Sequence, residues 1–274
     1  MHTAESIESA RALWASMERP LGFVPTMGAL HEGHLALVAR ARERCPSVAA
    51  SVFVNPLQFG ANEDFERYPR DLESDRKRFS DAGVDLLFAP PSAEMYRADF
   101  STVVEVDSSG ERYEGLHRPG HFRGVTTVMA KLLNILRPDL LFLGQKDAQQ
   151  AVLLRRMIQD LDIAVELEIV PTVREPDGLA MSSRNRYLDP NLRAQAPTLY
   201  AALQTMLRAL EAGDSIDEAR QRAVEVLGPD AEVDYLDLVD DSHFQPLSAL
   251  RKPAFLIGAA RFGGTRLIDN LWLQ

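Results

Sequence analysis

The chain has 274 residues, 46% of them hydrophobic, enough for one large domain or two smaller ones with a sizeable core. Its 30 Lys and Arg against 40 Asp and Glu give a formal charge of −10, which opposes non-specific binding to nucleic acid or to an anionic membrane and leaves small molecules as natural partners. The one cysteine, Cys45, excludes an internal disulfide and a cysteine-built zinc site, and fits a reducing cytoplasm.

The opening "ESIESARALWASMERP" sets Ile7, Ala10, Trp14 and Met17 at helical spacing and carries acids where a signal peptide is basic, so it reads as a first helix of the folded chain. "LGFVPT" then reads as a strand, "GHLALVARARERC" as a helix, "SVAASVFVN" as a buried strand and "RDLESDRKRFSDAG" as a charged helix with Leu72, Asp75, Arg76 and Phe79 marking its faces. "VDLLFAP" is a short strand, "GVTTVMAKLLNILR" a helix, "DLLFLG" a strand, "DAQQAVLLRRMIQDL" a helix and "IAVELEIVPTV" extended. This alternation predicts an α/β domain with a parallel sheet covered on both faces. From about Pro176 the pattern changes to an irregular "PDGLAMSSRNRYLDP", helices around 191 to 212 and 215 to 227, and three strands in succession, which predicts a smaller α+β domain. The expected division is 1–175 and 176–274. No apolar run approaches the roughly 20 residues of a membrane-spanning helix.

Four stretches carry candidate chemistry. "PTMGALHEGH" follows a strand and opens a helix, the place where open α/β sheets present free N–H groups to anions. There His31 and His34, three residues apart, can address one anionic group, while Gly28 admits a nucleotide close to the backbone and Gly33 relieves the turn. The spacing alone equally fits two surface histidines beside turn glycines. "VFVNPLQFGANEDFERYPRD" supplies Asn55, Gln58 and Tyr68, neutral groups suited to hydroxyls and carboxylates, although Asn55-Pro56 also suits a plain turn. "FLGQKDAQQ" offers Lys146 to a phosphate, Asp147 as a helix cap or partner for a ribose, and Gln150 one turn on. "GLAMSSRN" brings Ser182, Ser183 and the planar fork of Arg184. "HRPGHFRGV" adds Arg118, His121 and Arg123, a local cationic cluster that serves either substrate or loop structure.

Taken together, "VPTMGALHEGH", "FVNPLQF", "RPGHFRGV", "GQKDAQQ", "REPDGLAMSSRNRYL" and "ARFGGTRLIDN" resemble, in order and over nearly the whole length, the pantothenate synthetase (pantoate–β-alanine ligase) family. The "PTMGALHEGH" and "GLAMSSRN" stretches also look like the HIGH and KMSKS signatures of the wider nucleotidyltransferase superfamily. The resemblance implies a Rossmann-like first domain, a smaller second domain acting as a lid, and a cytoplasmic homodimer. It implies ATP with Mg2+ as a substrate complex, no tightly bound cofactor, and condensation of (R)-pantoate with β-alanine through a pantoyl adenylate. By family position, Met27, Gly28, Ala29, Leu30, His31, Glu32, Gly33 and His34 would line the ATP site, completed by Gly144, Gln145, Lys146, Asp147, Val173, Met181, Ser182, Ser183 and Arg184. His34, His31 and Lys146 would be catalytic, Gln58 would bind pantoate and β-alanine, and Gln150 would bind pantoate.

The lack of an obvious nucleophilic triad fits that scheme, since adenylation activates the acid without an enzyme nucleophile. One departure stands out: where many family members place two adjacent acids after "YPR", this chain has Ser74 and Asp75, so magnesium ligands stay unassigned. Two rivals follow from the same motifs. A nucleotidyltransferase that leaves AMP on a phosphorylated acceptor would call for more cations than Gln58 and Gln150 supply. A nucleotide sensor without turnover would bind ATP and release no pyrophosphate.

Overall fold

In the computed structural model, which describes residues 1–60, 63, 65–106 and 109–274, a short strand β1 (His2–Ala4) precedes α1 (Ile7–Ala15), β2 (Leu21–Thr26), α2 (Glu32–Arg44) and β3 (Ser47–Val52). Next come α3 (Leu72–Asp81), β4 (Leu86–Phe88), the single turns α4 (Ser92–Met95) and α5 (Glu114–His117), α6 (His121–Leu136), β5 (Leu140–Gly144), α7 (Ala148–Asp160) and β6 (Glu166–Val170). Three helices, α8 (Pro190–Gln195), α9 (Thr198–Glu211) and α10 (Ile216–Leu227), lead to β7 (Ala231–Asp240), β8 (Ala254–Phe262) and β9 (Thr265–Leu273). The chain divides into one unit of residues 1–144 and 153–170 and another of 145–152 and 171–274. Part of the amide-bearing stretch, residues 61, 62 and 64, lies outside the described residues.

The first unit holds a six-stranded sheet, β1-β4-β3-β2-β5-β6, with every pairing parallel. Its inner strands β4, β3, β2 and β5 are nearly continuous apolar runs because side chains alternate between two covered faces. Val24, Val48, Ala50, Leu87 and Phe142 pack with Leu37, Val38 and Ala41 of α2 and Phe79 of α3. Burying each such large side chain stabilises the fold by about 1.5–3 kcal/mol. Strand order reverses between β2 and β5, and such a reversal leaves a crevice at the carboxyl ends of the strands. Thr26 and Gly144 stand at those ends.

The second unit carries an antiparallel β7-β8-β9 sheet. Leu199, Leu203 and Met206 of α9 share a core with Leu236, Leu256 and Phe262 of the sheet. One expectation is corrected here: the stretch read as a single helix around 191 to 212 is two helices, α8 and α9, parted at Pro197, which has no N–H to continue the ladder. A reciprocal cap starts α10, with Ser215 Oγ accepting the Glu218 N–H and the Glu218 carboxylate accepting the Ser215 N–H.

Candidate active site

The loop after β2 is built by turning the backbone twice through the left-handed region, at Gly28 (φ +84°) and Ala29 (φ +52°). Thr26 steadies its start: the hydroxyl donates to the Ser51 carbonyl (2.7 Å) and accepts the Gly28 N–H (3.2 Å). Asp75, buried on α3, holds the turn from outside. One carboxylate oxygen accepts the Ala29 N–H (3.0 Å) and the other the Leu30 N–H (2.9 Å). One helical turn on, Arg78 donates to the Leu30 carbonyl and to Glu32 Oε1 (2.6 Å). The helix thus meets the loop's N–H groups with an anion and its C=O with a cation. A Cβ on Gly28 would sit 2.7 Å from Asp75 Oδ2, so both φ and space require glycine there. Asp75, left unassigned by the sequence as a metal ligand, has each oxygen engaged by the backbone.

His31 is the N-cap of α2 and His34 its third residue, with ring centroids 4.1 Å apart. His31 Nδ1 accepts the Gly33 N–H (3.1 Å), and His34 Nδ1 accepts the His31 N–H (3.3 Å). A backbone N–H only donates, so each Nδ1 is an acceptor and each ring carries its proton on Nε2. The pair therefore presents two oriented imidazole N–H donors at a helix start, where the macrodipole also favours an anion.

A second cluster of the first unit centres on Gln58. Asn55 caps the turn Pro56–Gln58 through its Oδ1, which accepts from Leu57 N–H (3.3 Å) and Tyr96 OH (2.8 Å). Its Nδ2 donates to Gln58 Oε1 and to the Gly124 carbonyl, both at 3.1 Å. Asn55 thus forms the turn that its Asn-Pro pair suits, and it also braces the Gln58 amide. Gln58 Nε2 donates to Met27 Sδ (2.9 Å), a weak acceptor that a carboxylate oxygen can replace.

The backbone of Gln58 is held as well. Its carbonyl accepts from His121 Nδ1 (2.8 Å), which places the His121 proton on Nδ1 and leaves Nε2 to accept from Arg118 (3.0 Å). Arg118 is in turn paired with Glu63 (2.5 Å). Burial, and then the Arg118 charge, lower the His121 pKa to about 4. This corrects the expected cationic cluster: His121 is neutral and Arg118 paired, both supporting the Gln58 turn, while Arg123 is exposed. Tyr68 is buried with its ring edge-on to Phe59.

In the second unit, residues Gln145–Asp147 form a single tight turn with Lys146 half-buried and Asp147 exposed. Lys146 Nζ lies 3.5 Å from Asp147 Oδ1. Gln150 follows on α7, half-buried. Val173 and Met181 are joined by the Met181 N–H to Val173 carbonyl bond (3.0 Å), and Arg174 bridges to Ala180, so the irregular stretch is a small hairpin. Ser182 Oγ caps the following turn by accepting the Arg184 N–H (3.3 Å). The predicted ATP residues are therefore divided: Met27 to His34 and Gly144 on one unit, Gln145 to Asp147, Val173 and Met181 to Arg184 on the other. Gln58 belongs to the first unit and Gln150 to the second.

Sequence reasoning missed the supporting roles of Asp75 and Arg78, whose backbone partners lie far away in the chain. The one available signal was for Asp75, an acid four residues before the apolar Phe79 and therefore on the same helix face.

The family model described as pantoate-beta-alanine ligase matches residues 1–272. The chain is 50% identical to the pantothenate synthetase of Chloroflexus aggregans over 100% of this chain and 99% of that one. It is 50% identical to that of Pelotomaculum thermopropionicum, over 93% and 92%. A crystal structure of pantothenate synthetase from Thermus thermophilus superposes with TM-score 0.95 at 50% identity, covering 99% of each chain. The pantoate-beta-alanine ligase of Francisella tularensis, complexed with beta-gamma ATP and beta-alanine, gives TM-score 0.82 at 32% identity, covering 99% of this chain and 97% of that one. With motifs, fold and full-length similarity in agreement, the chain belongs to the pantoate–β-alanine ligase family.

Proposed function

We propose that this enzyme condenses (R)-pantoate with β-alanine to pantothenate in an ATP-dependent, AMP-forming reaction, as its family membership supports. A pantoate carboxylate oxygen attacks the α-phosphorus of ATP. The bond to the β-phosphate oxygen breaks and pyrophosphate leaves. The β-alanine amine then attacks the acyl carbon of the pantoyl adenylate, loses a proton, and expels AMP. Adenylation is needed because a bare carboxylate repels nucleophiles and has no adequate leaving group.

The observation that carries this reading is the paired Nε2–H tautomer of His31 and His34 at the start of α2. Negative charge grows on phosphoryl oxygens as pantoate attacks, and preorganised donors act most strongly there. His34 and His31 serve as hydrogen-bond donors in that step, and Lys146, by family position, offers its ammonium to phosphate. Gly28 and the loop through Glu32 and Gly33 admit the nucleotide; Val173 and Met181 to Arg184 complete its contacts. Gln58, loosely engaged by the Met27 sulfur, turns its Nε2–H to the pantoate carboxylate, with Gln150 on the same substrate. Magnesium enters as MgATP, with a shell that phosphate and water can largely fill. The lid role of the second unit, the cytoplasmic setting and the homodimer belong to the same proposal.

The test is to incubate the purified chain with MgATP, (R)-pantoate and β-alanine, omitting each in turn. AMP, pyrophosphate and pantothenate in equal amounts are expected only from the complete mixture over many turnovers. ADP and phosphate, or ATP binding without pyrophosphate release, would overturn the reading. His34→Ala should slow single-turnover adenylate formation by about 10²-fold or more; an unchanged rate would remove His34 from that step.

A further inference from the structure

The closing "ARFGGTRLIDN" has no part in the chemistry so far, yet two of its residues are among the most buried polar groups of the second unit. Asp269 is 5% exposed and Asn270 2% exposed, adjacent on β9. Asn270 Nδ2 spends both hydrogens on consecutive carbonyls, those of Gln145 and Lys146, each at 2.9 Å. Its Oδ1 accepts from Gln145 Nε2 at 3.0 Å. Carbonyls only accept, so the amide orientation is unambiguous.

These two carbonyls belong to the peptide planes on either side of the Lys146 Cα. Holding both planes fixes the backbone torsions of Lys146, and with them the direction in which its side chain leaves the chain. The anchor is itself braced. Asp269 pairs in two-pronged fashion with Arg174 (2.6 and 2.9 Å) and accepts the Asn270 N–H (2.7 Å), while Arg174 stacks on the Tyr200 ring at 3.6 Å. Arg174 follows Val173, whose carbonyl holds Met181, so one dipeptide of the last strand ties both nucleotide segments of this unit.

We propose that Asn270 is a positioning residue for the adenylation step, acting through Lys146. The proposal rests on the reading of Lys146 given above. Without the two N–H donors the turn keeps its sequence and loses its orientation, and a displacement of about 1 Å from productive geometry costs up to about 10²-fold in rate. The aspartate variant removes both donors at constant size and retains the acceptor for Gln145.

The test measures pyrophosphate release from MgATP and (R)-pantoate, and full steady-state kinetics, in the intact chain. Asn270→Ala and Asn270→Asp should each lower kcat for adenylation by about 10- to 100-fold while KM for β-alanine stays within about twofold. Should Asn270→Ala fail to fold, the isosteric Asn270→Asp decides. A general structural lesion would give the same loss in any background, so both changes are repeated in Lys146→Ala. There, replacing Asn270 should alter the residual rate less than about twofold, because the group it orients is gone. Wild-type rates in the Asn270 variants, or the full loss persisting without Lys146, would overturn the proposal. Wild-type protein that makes no AMP would instead overturn the assigned reaction, so the two failures are distinguishable.

Discussion

Asp75 shows how one side chain can set an entire loop. Its two oxygens are the partners of successive N–H groups in a backbone that turns through positive φ, and hydrogen bonds to a charged acceptor contribute about 1.5–3 kcal/mol each. Asp75→Asn keeps the shape but sets an NH2 against one of those N–H donors. Urea denaturation should show it destabilised by about 2 kcal/mol, with slower adenylation. Raising Mg2+ about tenfold should not restore the rate, as it would if the carboxylate held the metal. His121 makes a prediction of opposite visibility. Its pKa is about 4 in the fold, against an unfolded value near 6.5, so the unfolded chain binds the proton first as pH falls. Stability from this group is intact above about pH 6.5 and is lost progressively toward pH 4, by up to about 3 kcal/mol. Denaturation curves at pH 7, 5.5 and 4 should show a shallower decline for His121→Asn than for wild type; parallel declines would refute the neutral histidine.

At the scale of elements, the site depends on how closely helices approach turns. α6 reaches the Gln58 turn at Gly124, where a Cβ would lie 2.2 Å from the Leu57 carbonyl oxygen and 2.6 Å from the Gln58 nitrogen. Gly124→Ala must push turn and helix apart, which costs about 1–3 kcal/mol and should raise KM for pantoate by about tenfold with little change in KM for ATP. Steady-state kinetics against each substrate would check it. The long elements were legible because their signals are local: apolar runs for β2, β3 and β5, and helical spacing for α1, α2, α6 and α7. β1, α4 and α5 were not, since three or four residues carry no period to read. The break at Pro197 was written in the chain, but the apolar pattern continues across it from Leu192 to Leu199. His31, His34 and Lys146 stood out by residue type and spacing. Their supports did not, because Asp75 reaches back 46 and 45 residues and Asn270 reaches back 125 and 124.

For the whole molecule, the two compact units divide the proposed work along the chain. Residues 145–152 belong with the second unit although they follow β5 directly, and the reason is visible in Asn270, which ties that turn to the last strand. A single cut after 175, as the sequence suggested, leaves that segment with the first. Tracing an oxygen atom tests the adenylate directly. With (R)-pantoate labelled by 18O in its carboxylate, AMP formed during turnover with β-alanine should carry one labelled oxygen, left behind when the amine displaces the adenylate. AMP without label would show that pantoate never bonded to the α-phosphorus, and the adenylate route would fall.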